Sequence, residues 1–432
     1  MASLTVHELL NAIHVLSSSS NGIVIMKRFF SIGTPVLSLI MLSLLFSGCS
    51  ENKEPWDLHT EQGLAFMDQG KFPEAEKELN EALALAEKTE ATPSQLTRSL
   101  TNLAILSNAK GDPTQAESFL RKTIAIQEKG PTAASPELAA TLSNLGALHV
   151  SQQEYDKALQ AFERGLAIRE QALGKDDPEV VRDLENIAGL FVRQSNYAEA
   201  EPYLQRALDT TQRTKGEEAP ELVEPLNNLA LLYRAQQQYQ EAETLLLRAL
   251  AIQEKQVGPT NPHVLGSLNN LALLYSTAKQ FEKAQPLVAR MLALTEENYG
   301  DLHPRVALVL NQLAELHRLQ GQPEQAIPLL QRAITIIEKA EGPEHAGLTG
   351  PLNNLALLYL NTGQFDEAEV LFKRTLAITE QTMGKDHFRV ERALRNYATL
   401  LRKMARAEEA ESMEARANEI EQKHLPPPAK AS

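Results

Sequence analysis

The chain has 432 residues and a formal net charge of −14, from 42 basic and 56 acidic side chains. It is 43% hydrophobic but only 5% aromatic, and it contains one cysteine. A single cysteine excludes an internal disulfide and any zinc or iron–sulfur site built on several cysteine ligands. The acidic balance argues against nucleic acid as a partner, because that binding needs a basic surface.

The beginning of the chain differs sharply from the rest. Lys27 and Arg28 precede an uncharged apolar run over residues 29–46, and the only cysteine, Cys49, follows shortly after it. A basic start, an apolar segment and small residues before a cleavage point are the layout of a secretory signal peptide. The sequence therefore predicts a signal peptide over residues 26–48.

The end of this segment resembles a bacterial lipoprotein signal, whose cysteine is lipidated and becomes the first mature residue. The resemblance implies a lipid anchor on Cys49, followed by a tether over residues 49–56, and Ser50 favours delivery to the outer membrane. Phe46 departs from the usual leucine. The alternative is an uncleaved membrane-spanning helix, for which the apolar run is barely long enough. Residues 1–25 are interpreted as a misassigned or extended start.

A five-residue motif that begins with leucine, as in LNNLA, recurs every 42 residues. Its copies begin at Leu100, Leu142, Leu184, Leu226, Leu268, Leu310, Leu352 and Leu394. An aromatic residue three positions before an alanine follows most copies at a fixed distance, as in Tyr239 and Ala242. This second motif has one additional copy before the first leucine motif, near Phe72, and its last copy, near Ala407, is degenerate. The chain therefore contains nine units.

Each unit is predicted to form two amphipathic helices. The apolar residues of the segment 268–275 follow the i, i+3, i+4, i+7 spacing of one helix face. Loops such as 257–262 separate the units, with a glycine suited to ending one helix and a proline suited to starting the next. The expected N-caps before these prolines are Asp177 and Asn261.

These spacings resemble the tetratricopeptide repeat, and the 42-residue period resembles its kinesin-light-chain subtype. The resemblance covers residues 57–424. It implies an all-α fold, a right-handed α-solenoid (superhelix) of about nine helix-turn-helix repeats, with a concave groove that binds extended peptides. The proline-rich residues 425–432 are expected to be a disordered tail.

One polar position recurs in the first helix of the units. Asparagine has poor propensity for the middle of a helix, and its amide carries both a donor and an acceptor. The resemblance implies that this position faces the groove and clamps a bound peptide. Hydrogen bonding between neighbouring repeats is the alternative, and the two roles are compatible. The candidate residues are Asn102, Asn144, Asn186, Asn228, Asn270, Gln312, Asn354 and Asn396.

Other residues at groove-type positions would set specificity. Leu231, Leu273 and Leu357 lie three positions after the recurring amide and are candidate apolar contacts. Six arginines also fall at such positions. Together the leucines and arginines indicate that the bound peptide has leucine-like anchors and some acidic residues. The six arginines are Arg98, Arg182, Arg234, Arg318, Arg392 and Arg402.

Further recurring residues are interpreted as structural. His303, His345 and His387 occupy equivalent loops, where equivalent points lie about a helix diameter, ~10 Å, apart. One zinc needs every ligand at ~2 Å, so loop capping is the better interpretation. Recurring arginines and glutamates of the second helices are interpreted as salt bridges between repeats or as solvated faces, in preference to substrate contacts. His149 and His317 replace tyrosines of other repeats and are expected to pack inside.

The sequence lacks GxSxG and GxxxxGK[ST] motifs, and no enzyme, cofactor, metal or small-molecule substrate is expected. It predicts a scaffold held to the outer membrane by its lipid only and facing the periplasm. The expected partner is a protein or an extended peptide, bound in support of assembly or recruitment at the cell envelope. A cytoplasmic or inner-membrane-anchored adaptor is the alternative.

Overall fold

The computed structural model describes residues 54–88, 92–130 and 134–424. Within these ranges all regular structure is helical, and eighteen α-helices form nine consecutive pairs. The all-α repeat fold expected from the sequence is therefore confirmed. Several predicted features lie outside the described residues: the upstream segment 1–25, the signal peptide 26–48, the lipidation site Cys49 and the tail 425–432.

Contacts divide the chain into two compact units, with the boundary between Ile126 and Gln127. The described part of the first unit contains α1 (Pro55–Asp68), α2 (Phe72–Lys88), α3 (Pro93–Ala109) and most of α4 (Pro113–Lys129). Helix α1 begins two residues before the predicted start of the repeats. The reason is that Pro55 suits a first helical turn and that Trp56 is buried, with its Nε1 donating to Ser99 Oγ at 2.9 Å.

The second unit holds seven helix pairs. Its first helices are α5 (Pro136–Ser151), α7 (Pro178–Arg193), α9 (Val223–Ala235), α11 (Leu265–Thr277), α13 (Pro304–Leu319), α15 (Thr349–Thr362) and α17 (Phe388–Lys403). Its second helices are α6 (Tyr155–Leu173), α8 (Tyr197–Lys215), α10 (Tyr239–Val257), α12 (Phe281–Tyr299), α14 (Pro323–Glu341), α16 (Phe365–Met383) and α18 (Ala407–His424). Short 3-10 turns precede α9, α11 and α15. None of the described helices combines the length and the apolar character that crossing a membrane requires.

The loops between pairs end one helix and cap the next. Gly258 follows α10 with φ +88°, a conformation that glycine adopts without a steric penalty. Asp177 and Asn261 are N-caps as predicted, since each Oδ1 accepts a backbone N–H two residues later, at 2.8 and 3.0 Å. The loop histidines make the same bond through Nδ1, which confirms their predicted capping role: His303, His345 and His387.

Small residues allow the two helices of a pair to approach closely. Ala272 of α11 and Ala284 of α12 are completely buried, and Leu268, Leu271 and Val288 pack around them. Burying a leucine or valine side chain in this way stabilises the fold by roughly 1.5–3 kcal/mol. The same buried cluster includes residues of α9, α10 and α13, so the core continues from this pair to its neighbours.

Ion pairs link successive second helices, which is the first of the two predicted interpretations. Arg290 reaches Glu254 at 2.6 Å, and the equivalent arginines of α14 and α16 reach their glutamates at 2.7 Å. Arg248 is the exception, because the equivalent position of α8 is Gln212, whose Oε1 accepts at 3.2 Å. These pairs are partly exposed, so each contributes at most about 1 kcal/mol, and their main effect is to fix the offset between helices.

The turn within each pair contains one residue in the left-handed region. Lys279 has φ +58° there, whereas the equivalent Gly321 has φ +72°. The left-handed conformation costs a residue with a side chain about 1–2 kcal/mol. Glycine avoids this cost, but its unfolded chain is more flexible, and ordering it on folding costs about 0.5–1 kcal/mol more. We expect Lys279→Gly to raise the free energy of unfolding by about 0.5–1 kcal/mol in urea titrations. Gly321→Ala, the reverse exchange, should lower it; equal effects of both variants would contradict this account.

Glu369 of α16 joins three elements of the last two pairs. It contacts Lys373 at 2.8 Å and Arg406 at 2.8 Å, and it accepts the Tyr397 hydroxyl hydrogen bond at 2.8 Å. The hydrogen bond from Lys373, followed by that from Arg406, lowers the pKa of Glu369 from 4.5 to about 2. The charged form therefore stabilises the fold above pH 4.5, and this contribution is lost as the pH falls towards 2.

We therefore expect Glu369→Gln to reduce the urea midpoint at neutral pH. The difference from the unmodified chain should shrink progressively as the pH falls from 4.5 towards 2. Glu408→Gln serves as the control, because Glu408 is exposed on α18. A deficit of Glu369→Gln that stayed constant over this pH range would contradict the assignment.

Candidate peptide-binding face

Side-chain hydrogen bonds connect the first helices of the second unit directly. Asn270 Nδ2 donates to Asn227 Oδ1 at 3.1 Å, which links α11 to α9. The same bond is repeated by Gln312 to Asn269 (3.0 Å), Asn354 to Asn311 (3.0 Å), Asn396 to Asn353 (2.8 Å) and, at the start, Asn228 to Glu185 (2.9 Å). We call these ten side chains the amide ladder, and the side of α7 to α17 that carries them the first-helix face.

The amide ladder shows that bonding between repeats, one of the two predicted roles, is present. Its acceptor is a side chain 43 residues earlier. Each bond uses one amide N–H of Asn270 or its equivalents. The Asn270 carbonyl oxygen and the Asn227 amide nitrogen have no hydrogen-bond partner among the described residues. One acceptor and one donor therefore remain available to a ligand at each of the four bonds that join two amides.

The ladder does not extend over all eight predicted positions. Asn144 and Asn186 are exposed, and their side chains make no hydrogen bond with the described part of the chain. Asn102, in the first unit, is 8% exposed, and its buried Nδ2 has no partner in the structure as described. For Asn186, the residue 43 positions earlier is Ser143, whose hydroxyl already bonds Ala139 and Asp183.

The predicted apolar contacts lie on the first-helix face. Leu231 and Leu273 are 36% and 40% exposed, and Leu357 is partly buried. Leu308 and Leu319 of α13, four positions before and seven after Gln312, also fall on this face and are exposed. Sequence reasoning missed these two, because their positions carry glycine or polar residues in the neighbouring repeats.

The six predicted arginines divide by their partners. Three are committed to carboxylates: Arg182 to Glu179, Arg318 to Glu315, and Arg402 to Glu414. Arg98, in the first unit, lies over the Trp56 ring, 5.6 Å from its centroid. Arg234 and Arg392 have no carboxylate partner among the described residues. Burial lowers the pKa of Arg234, and its Nη1 is buried without a hydrogen bond.

Arg234 thus carries an uncompensated charge beside Leu231. An unpaired and partly desolvated guanidinium gains strongly from a carboxylate that arrives with a ligand. Sequence reasoning also missed the acceptors Asn227, Asn269, Asn311 and Asn353. The doubled asparagine of LNNLA was the signal that could have identified them.

The remaining polar candidates are internal. His149 is 2% exposed and its Nδ1 contacts Glu154 at 2.7 Å, and His317 contacts Gln322 at 2.8 Å in the same way. Both pack inside, as predicted. In the residues that the structure describes, no group of three or more histidine, cysteine, aspartate or glutamate side chains is arranged to hold a metal ion.

The tetratricopeptide repeat family matches most of the chain. The matched segments are 57–129, 137–213, 184–255, 221–297, 263–339 and 349–423. A search of the curated proteins returns no match to this sequence.

Solved structures of similar fold include the apo form of RapI. It is 15% identical, covers 86% of this chain and 98% of its own, and has a TM-score of 0.55. Aspartyl phosphate phosphatase F from Bacillus subtilis is 16% identical and covers 87% and 96%, with a TM-score of 0.50. A Podosopora anserina structure named for kinesin light chain and its nearly identical TPR-like repeats is 28% identical, covers 48% and 98%, and has a TM-score of 0.43.

Proposed function

The chain belongs to the tetratricopeptide repeat family, and we propose that its first-helix face binds an extended segment of a partner protein. Proteins of this family are generally non-enzymatic scaffolds that bind proteins or peptides. The single observation that carries the proposal is the amide ladder. It presents a spare donor and a spare acceptor at each bond between two amides, beside the partly exposed Leu231 and Leu273.

The geometry also sets a spacing for the partner. An extended chain advances about 3.3 Å per residue, and stacked helices repeat at about 10 Å, so one repeat spans about three residues. Leu231 and Leu273 lie one repeat apart, and they would therefore contact side chains about three residues apart in the partner. Arg234 is unpaired and lies three residues after Leu231 on α9, so it favours an acidic residue near these apolar anchors.

A peptide selection tests the proposal and does not require the partner to be identified. The purified chain is exposed to a displayed library of extended peptides about twelve residues long, enough for about four repeats. We expect enriched peptides with apolar residues about three apart. These should lose binding when Leu231 and Leu273 are both changed to Asp. Enriched peptides that bind this variant as well as the unmodified chain would contradict the proposal.

For cellular location we propose an outer-membrane lipoprotein that faces the periplasm and supports assembly or recruitment at the cell envelope. The support comes from the sequence around Cys49, where a basic start, an apolar run and small residues precede the cysteine. Several acyl chains on one residue give stable anchoring, whereas one chain is marginal. We expect the Cys49→Ala variant to be lost from the membrane fraction after cell fractionation. A variant that still fractionates with membranes would exclude lipid anchoring.

A cytoplasmic or inner-membrane-anchored adaptor is the second candidate, favoured only if the apolar run is not processed. A reporter that is active outside the cytoplasm, fused after Thr60, separates a cytoplasmic chain from an exported one. Activity supports the export proposal, and its absence supports a cytoplasmic adaptor. Uncleaved residues 26–48 on an exported chain would indicate the inner-membrane anchor.

A further inference from the structure

One layer of the second unit changes composition from repeat to repeat. It contains one residue of a second helix and one of the following first helix. The pairs in chain order are Arg169/Asp183, Thr211/Pro225, Gln253/Ser267, Thr295/Val309, Ile337/Pro351 and Thr379/Ala393. The first pair is a buried ion pair, and in the third Ser267 Oγ donates to Gln253 Oε1 at 2.7 Å. The last pair, Thr379 and Ala393, has the smallest combined side-chain volume of the six, so it fills less of this layer where α16 meets α17.

A cavity of about 280 Å³ occupies this position. Its floor contains Thr375, Thr379 and Ala393, all at least nine-tenths buried. The first turn of α15 and the first two turns of α17 form its walls. Asn353 of the amide ladder also lines it. Gly350 also borders the cavity, and a Cβ there would meet nothing within 4 Å. The cavity therefore opens beside the proposed path of the bound segment.

The cavity is lined by two arginines, Arg389 and Arg392. Neither guanidinium pairs with a carboxylate in the described ranges, although the chain as a whole carries a net charge of −14. The nearby Glu391 is held by Arg395 instead. Phe388 replaces the proline found at this position in several other repeats, is 57% exposed, and lies under the Arg389 guanidinium at 6.0 Å from the ring centroid. A guanidinium over the face of an aromatic ring is attracted to it, by about 0.5–1 kcal/mol at exposed sites.

We propose that this cavity receives an aspartate or glutamate side chain of the segment bound on the first-helix face. This inference rests on the proposed function and adds an acidic residue as the requirement at the eighth and ninth repeats. The carboxylate accepts hydrogen bonds from Arg389 and Arg392, and its methylene groups lie against Thr379 and Ala393. Two charge-assisted hydrogen bonds to arginine give strength and orientation.

The test compares two fluorescein-labelled peptides, hexaglutamate and hexaglutamine, by fluorescence anisotropy on the full chain at low salt. An acidic peptide is repelled by most of this acidic protein, so its binding reports on a local basic site. We expect hexaglutamate to bind and hexaglutamine not to bind. Arg392→Gln and Arg389→Gln should each weaken hexaglutamate about tenfold or more, because each removes a hydrogen bond to a charged group.

Two further variants separate the cavity from mere positive charge. Thr379→Ile keeps both arginines and fills the floor with the residue found one repeat earlier, Ile337. It should weaken hexaglutamate binding while leaving the fold intact or more stable. Arg182→Gln, at the position equivalent to Arg392 but paired with Glu179, should have no effect. Unchanged binding by Arg392→Gln or Thr379→Ile would overturn the inference. Peptides that still require Leu231 and Leu273 would then leave the proposed function standing.

Discussion

We expect replacement of Asp183 by Ser to lower the free energy of unfolding by about 3–5 kcal/mol. Asp183 and Arg169 form an ion pair whose side chains are both about 99% buried. Burial raises the pKa of Asp183, although hydrogen bonding to Arg169 opposes this. Removing the carboxylate leaves the Arg169 guanidinium buried without an opposite charge, and this is costly in a low-dielectric interior.

The chain contains its own replacement for this pair. Gln253 and Ser267 occupy the equivalent positions two repeats later and are joined by a hydrogen bond. The double exchange Arg169→Gln with Asp183→Ser should therefore restore most of the lost stability, since neutral replacements of buried ion pairs are often neutral or favourable. Thermal unfolding and hydrogen exchange of α6 and α7 measure the effect. A double variant no more stable than Asp183→Ser alone would contradict this account.

We expect the double variant Leu231→Asp with Leu273→Asp to weaken peptide binding more than 100-fold. Each leucine is an apolar anchor on the first-helix face, and losing a central anchor costs about 2 kcal/mol or more. Both side chains are already partly exposed, so the fold should lose little stability. The measurement is anisotropy with peptides enriched in the selection, together with circular dichroism.

A matched control uses exposed apolar residues of the second helices. Leu247 of α10 and Val370 of α16 are 45% and 66% exposed. Both lie on second helices, whereas the amide ladder lies on first helices. The same exchange to Asp at both positions adds the same charge. It should leave binding within about threefold, which is within 1 kcal/mol. A comparable loss in both double variants would mean that net charge, and not the first-helix face, governs binding.

Much of the fold followed from the 42-residue period. The loop glycines and prolines predicted the helix ends, and Asp177 and Asn261 are the caps that their positions indicated. The Arg290–Glu254 pair and its equivalents were also predictable, because both partners recur in register. These features depend on one repeat and its nearest neighbour, which is the range over which a repeated sequence carries information.

The candidate site was predicted only in part. The recurring Asn270 was identified, but not its acceptor Asn227, since that bond depends on the offset between two first helices and not on the period alone. The Arg169–Asp183 pair and the cavity at Thr379 and Ala393 were missed for the opposite reason. They are departures from the repeat, visible only when equivalent positions of all the repeats are compared by volume and charge.

Site-specific photo-crosslinking tests whether the first-helix face contacts the bound partner segment. A photoreactive amino acid is placed at position 273, in place of Leu273 on α11, or at position 370, in place of Val370 on α16. A peptide enriched in the selection is then added and irradiated. We expect a crosslink from position 273 and none from position 370. A crosslink from position 370 and none from position 273 would show that the partner binds elsewhere.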